Sequence, residues 1–93
     1  MKKLKIGQKV LVKTRKELEQ LSKVRVVKNL IMDDIADNSI VDNMFDFCGK
    51  IVTIQSFSNS SRRIKYWIEE DPGYTWDIRW FKELNAVAKV LFD

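Results

Sequence analysis

The first clear signal along the chain is alternation of apolar and polar residues. In "IGQKVLVKT", Ile6–Thr14, Val10 and Val12 fall on one side and Lys9, Leu11 and Lys13 on the other. A period of two predicts a half-buried strand, entered through a turn at Gly7. Thr14 is then followed three residues later by Glu17. That is the spacing of a capping box, so Arg15–Ser22 reads as a short helix or helical turn with Leu18 and Leu21 on one face. "KVRVV", Lys23–Val27, alternates again and reads as a short strand. From Lys28 to Phe47 no period holds. Asp and Asn crowd this stretch, with Ile35, Ile40, Val41, Met44, Phe45 and Phe47 interspersed. It predicts a long connection containing one helical turn, capped by Ser39 and carrying Val41, Met44 and Phe45.

The second half is patterned more strongly. "GKIVTIQSF", Gly49–Phe57, is β-branched and alternating, and "SNSS", Ser58–Ser61, is a turn cluster. "RRIKYWIEE", Arg62–Glu70, puts Ile64, Tyr66 and Ile68 on one face and Lys65, Trp67 and Glu69 on the other. Together these predict a hairpin. "DPGY", Asp71–Tyr74, has Pro then Gly where a type II turn wants them. "TWDIRWF" follows as a short strand running into a helical turn. "NAVAKVLF", Asn85–Phe92, spaces Val87, Val90 and Leu91 as a helix would, and reads equally as a closing strand. Strand, long loop, hairpin, tight turn, short strand and helical turn describe a mostly β domain with short helices, a small SH3-like barrel.

Ninety-three residues suit one domain, 1–93, able to hold a modest core. The net charge of +4 hides a blocked distribution. Residues 1–30 carry ten Lys/Arg against two Glu, whereas residues 31–48 carry five Asp and no base. The blocks either neutralise one another in the fold or leave separate basic and acidic faces. No apolar run reaches the ~20 residues of a membrane span, and the opening "MKKLKIGQKV" has no apolar signal core. The single cysteine, Cys48, has no internal disulfide partner, which suits a reducing cytoplasm and a thiol packed as a small hydrophobe.

Catalysis is poorly supplied. The chain has no histidine, which removes the commonest general base, the Ser–His and Cys–His pairs and the commonest zinc ligand. No metal site, cofactor or enzymatic activity is expected. Glu69, Glu70 and Asp71 could be read as a carboxylate pair, but neighbours on a strand point to opposite faces, and acids before Pro-Gly suit a solvated turn. Residues 66–81 hold six of the ten aromatics. Trp76 and Phe81 are expected in the core of so small a domain. Trp67, Tyr74 and Trp80, with the acidic turn Glu69–Asp71, are the leading protein-binding candidates. Lys9, Lys13, Arg15, Lys16, Lys23, Arg25 and Lys28, joined by Arg62, Arg63 and Lys65, are the candidate phosphate-binding residues of an alternative nucleic-acid-binding function. No base-reading motif accompanies them.

The combination "MFDFCGKIVTIQSF…YWIEEDPGYTWDIRWF" resembles a family of small proteins encoded by phages and prophages of low-GC Gram-positive bacteria. The family pattern is a "GxKVxVK" strand, then "M…FCGKxVTI", then "YxIEED…xWxxxMF". It is matched at Ile6–Lys13, Met44–Ile54 and Tyr66–Phe81, through Gly7, Val10, Val12, Gly49, Val52, Ile54, Ile68, Glu69, Glu70, Asp71 and Trp76. Trp80 departs from a Met-like position. The resemblance implies an SH3-like domain similar to the mind-bomb-type repeat. Its core segments would be 6–14, 44–57 and 62–81, with a variable insertion 24–43 and an extension 85–93. It also implies a non-enzymatic protein-binding module acting in the bacterial cytoplasm, the sharpest form being an inhibitor of a host defence system of the anti-CRISPR kind. Its partner would be a host protein such as a defence nuclease or nucleoprotein. The chain itself would be a monomer or, with an apolar closing strand at Val87–Phe92, a homodimer.

Overall fold

A computed structural model describes residues 3–59 and 62–84. The fold is mostly β. Eight short strands run in the order β1 (Lys9–Val12), β2 (Val24–Val27), β3 (Leu30–Asp33), β4 (Asn38–Ile40), β5 (Ile51–Ser58), β6 (Lys65–Ile68), β7 (Asp71–Trp76) and β8 (Phe81–Glu83). Among the described residues one α-helix, α1 (Arg15–Glu19), and two 3-10 helices, Asp42–Phe47 and Ile78–Trp80, join them. The strands form two antiparallel sheets, a five-stranded one ordered β7-β6-β5-β1-β8 and a three-stranded one ordered β2-β3-β4. The expected barrel is not closed, because β7 and β8 stand at opposite edges of the larger sheet. Among the described residues no helix is long and apolar enough to cross a membrane. The closing segment read at Asn85–Phe92 lies outside the described residues.

The alternation in β1 has its expected result. Val10 and Val12 are fully buried and Lys9 is exposed. Gly7 enters the strand at φ +85, a left-handed conformation that glycine adopts without strain, and its N–H donates to the Ile54 carbonyl at 2.7 Å. The capping box forms as well. The Glu17 N–H donates to Thr14 Oγ1 at 3.3 Å, and the Thr14 N–H donates back to Glu17 Oε1 at 3.0 Å. Leu18 then points into the core.

Glu17 also receives Lys82, and that bond together with the Thr14 N–H holds its carboxyl at about 2, below the ordinary 4.5. A depressed folded pKa gives stability above the unfolded value that is lost as pH falls from about 4.5 towards 2. Glu17→Gln should therefore cost about 1 kcal/mol near neutral pH. Its urea midpoint should converge with that of the parent near pH 2. A gap that persists unchanged into acid would refute this assignment.

Three expectations are corrected. The connection from Lys28 instead holds two strands, β3 and β4, which join the expected strand β2 in a three-stranded sheet through a two-residue turn at Lys28–Asn29 and a four-residue turn at 34–37. Lys28 and Asp37 adopt positive φ in those turns. Ser39 lies in β4 and caps nothing; the helical turn starts after Val41. The third correction concerns Asp71–Tyr74. The reversal is made by Glu69–Glu70, because Ile68 already opposes Asp71. Pro72 and Gly73 belong to β7. An edge strand tolerates a residue without an N–H, and the register shift between Tyr66 and Ile68 gives room for both to leave the ladder.

Both sheets bury their inner faces in one core. Ile31 and Ile40 from the small sheet join Val10, Val52, Ile54, Tyr66, Ile68, Trp76, Trp80 and Phe81. Trp76 is its aromatic centre, stacked on Phe81 at 5.7 Å and meeting Trp80 and Phe47 edge-on at 6.0 and 6.2 Å.

Candidate binding surfaces

The polar group that joins the two sheets was not singled out from the sequence. Asp33 ends β3 with its side chain wholly buried. Its Oδ1 accepts from Arg79 Nη1 at 2.5 Å and from the N–H groups of Ile35 and Ala36, and its Oδ2 accepts from Trp80 Nε1 at 2.9 Å. Arg79 also donates through Nη2 to the Ser22 carbonyl at 2.7 Å. Beside it, buried Asp77 accepts two 2.8 Å bonds from Arg63 and one from the Arg79 N–H. Every acceptor oxygen of Asp33 is thus engaged, which is the condition for keeping a carboxylate in a core.

This network corrects the reading of Trp80. It was expected on the surface, yet it is fully buried and held by its indole N–H. The acidic trio is also broken up. Glu69 is exposed. The Glu70 carboxylate accepts from the Thr53 N–H at 3.0 and 3.2 Å, just past the Ile54–Ile68 pair at the end of the β5–β6 ladder. Asp71 opposes buried Ile68, and its Oδ2 is buried without a hydrogen-bond partner among the described residues. Tyr74 is half-buried, with its hydroxyl receiving Asn43 Nδ2 at 3.3 Å. Only Trp67, half-buried on the outward face of β6 beside Lys65, keeps the character of a contact residue. Among the described residues no group of three or more acids and cysteines is placed to hold a metal ion. Burial pushes the Cys48 thiol up, as suits packing rather than reactivity.

The basic candidates do not share one face. Lys9 and Lys13 lie on the outward face of the large sheet. Lys9 donates to Thr53 Oγ1 at 2.8 Å. Opposed residues of a ladder share a face, so Leu11, Ile51 and Lys82 lie there too, with Ile51 45% exposed. Burial lowers the Lys13 pKa, and Arg79 and Lys82 nearby lower it further against the pull of Glu17. Arg15 is committed to Glu19 and to the Phe45 ring, 4.4 Å from its centroid, while Lys16 is exposed. Arg62, Arg63 and Lys65 line a cleft of about 460 Å³ together with Asp34 and Asp37, which offset two of the three bases.

Lys23, Arg25 and Lys28 come together on and beside β2. This strand is the most exposed element among the described residues, with Val26 and Val27 at 48% and 44%. It is the edge of its sheet. Among the described residues its one ion pair, Arg25–Asp34 at 3.0 Å, is open to solvent on both sides. The other sheet edges differ. β4 and β7 are tied to each other by Asn38 Nδ2, which donates to the carbonyl and hydroxyl of Thr75. β8 leads into residues that are not described.

Comparison with family models, with curated proteins and with solved structures finds no match. The surfaces are therefore judged on their own geometry, in which β2 combines exposed apolar area, an open backbone edge and a local excess of base.

Proposed function

We propose that this chain is a non-enzymatic module that binds a protein, and that β2 and its exposed valines are the contact surface. The observation that supports this reading is the edge itself, β-branched and exposed at three of its four positions. Such a strand is a template for another chain unless something covers it. The phage resemblance adds the direction. The partner is a host protein, and the sharpest form of the proposal is an inhibitor that occupies a component of a host defence system.

The test is affinity capture from bacterial lysate, with and without nuclease, using the parent chain and the Val26→Asp, Val27→Asp double variant. The reading expects a host protein that survives nuclease and is lost with the variant. Partners that all disappear with nuclease would end it.

A second reading has its own observation. Lys9, Lys13 and Lys82 share one sheet face, where Glu17 answers Lys82, and a phosphate would add a second counter-charge. Nucleic-acid binding there would weaken with about one power of salt concentration per phosphate contact. Lys13→Gln would reduce that slope.

A further inference from the structure

We infer that the partner supplies an extended acidic segment, which joins β2 as a fourth strand of the β2-β3-β4 sheet. This rests on the protein-binding reading and adds the chemistry of what is bound.

The register fixes which backbone groups are on offer. β2 opposes β3 at Val24–Asp33, Arg25–Met32, Val26–Ile31 and Val27–Leu30, and the Asp34 N–H bonds the Lys23 carbonyl at 3.0 Å. In an antiparallel ladder, residues alternate between bonding their partner and pointing their N–H and C=O away from it. Lys23, Arg25 and Val27 therefore bond inward, and Val24 and Val26 present their backbone groups outward. The side chains alternate as well. Val24 and Val26 share the face of buried Ile31, and Arg25 and Val27 lie on the other face. A strand added here meets valines on one face and a guanidinium on the other, with ammonium groups at both ends from Lys23 and Lys28.

That pattern selects the occupant. A second copy pairing β2 with β2 about a two-fold axis at Arg25 would set Arg25 against Arg25, and about one at Val24 would set Lys23 against Arg25 twice; like charges directly opposed are unfavourable. Lysine on an edge strand is a recognised block to such self-pairing. The segment 85–93 carries one Lys and one Asp and no net charge, so it does not answer three bases. An incoming strand alternating apolar and acidic residues puts its apolar side chains beside Val24 and Val26 and its carboxylates beside Lys23 and Arg25. Its carboxylates would compete for Arg25 only with Asp34, in a pair whose two side chains are 59% and 53% exposed. Solvent-exposed pairs of that kind are weak and readily exchanged. Strand addition to an exposed edge is a general mode of peptide capture, with backbone bonds giving affinity and alternate side chains giving selectivity.

The test uses the full chain and a capped, fluorescently labelled peptide of about six residues alternating Glu and Val. A Lys–Val peptide of the same length is the control. Fluorescence anisotropy should show the Glu–Val peptide binding at least about tenfold more tightly, and the Val24 and Val26 amides should become protected from exchange. Val26→Pro deletes an outward N–H while sparing the bonds to β3, so it should abolish binding with the fold retained by circular dichroism. If that variant fails to fold, a Glu–Val peptide N-methylated at alternate residues makes the same test on the other side. Equal binding of both peptides, blocked by Val26→Pro, would refute the acidic partner and leave the protein-binding edge standing. Binding indifferent to Val26→Pro and to N-methylation would remove the edge altogether. Protection of the same amides in the free chain would also overturn the inference. If it grew with concentration, it would assign the edge to a second copy. If it vanished on deletion of residues 85–93, it would assign the edge to the chain's own end.

Discussion

Replacing Asp33 with alanine is expected to remove about 3–5 kcal/mol of stability, the scale seen when one partner of a buried charge pair is deleted. Domains of this size hold about 5–15 kcal/mol in total, so the variant should be at or near the edge of folding. The cause is what the substitution leaves behind. Arg79 has a side chain only 16% exposed, and it would keep its charge without its carboxylate. Trp80 Nε1 and the N–H groups of Ile35 and Ala36 would lose their acceptor in the same step. Asp33→Asn retains an oxygen for the turn and should fall between the two. Urea unfolding followed by tryptophan fluorescence measures this. A loss of under about 1 kcal/mol for the alanine variant would mean that the network is incidental to the fold.

The second large effect separates two tryptophans that look alike in sequence. Trp80→Ala should cost about 3–5 kcal/mol, because it empties a fully buried site. It also strands one oxygen of Asp33. Trp80→Phe keeps most of the volume and isolates the indole N–H, at about 1–3 kcal/mol. Trp67→Ala should cost about 1 kcal/mol or less, since its side chain stands on the outward face of β6. If the two alanine variants proved equally stable, the burial assigned to Trp80 would be wrong.

Much of the fold was legible where one rule acted alone. Val10 and Val12, Tyr66 and Ile68, and the Thr14–Glu17 cap each follow a local period or spacing, and each lies where that period puts it. The segment 24–43 was not legible, for a specific reason. Its inner face reads Val24, Val26, Ile31, Asp33, Asn38 and Ile40. Two of the six are polar, and Asp33 is tolerated only because Arg79 and Trp80 arrive from the far end of the chain. The pattern of two is broken at residues whose partners lie far along the chain, Arg79 and Trp80 for Asp33 and Thr75 for Asn38. Pro72–Gly73 misled in the opposite way. The pair has a strong local preference for a turn, but Glu70 bonding the Thr53 N–H and Ile68 opposing Asp71 reverse the chain three residues earlier. The candidate surface was half visible. "KVRVV" reads as a strand, but that it is an edge can be known only once β3 is known to exist.

The lock between Asp33 and Arg79 also bears on the order in which the molecule assembles. The two residues are 46 apart in sequence. Contacts of that separation require the intervening chain to be closed before they return any stability, so they tend to form late. On a ribosome, β2, β3 and β4 are made long before Arg79 has left the exit tunnel, and until then Asp33 has no cation to justify its burial. The docking of the small sheet onto the larger one is therefore secured late. Changes at the lock should speed unfolding more than they slow folding. The surface proposed to take a partner is thus presented in its final form only after Arg79 has been made.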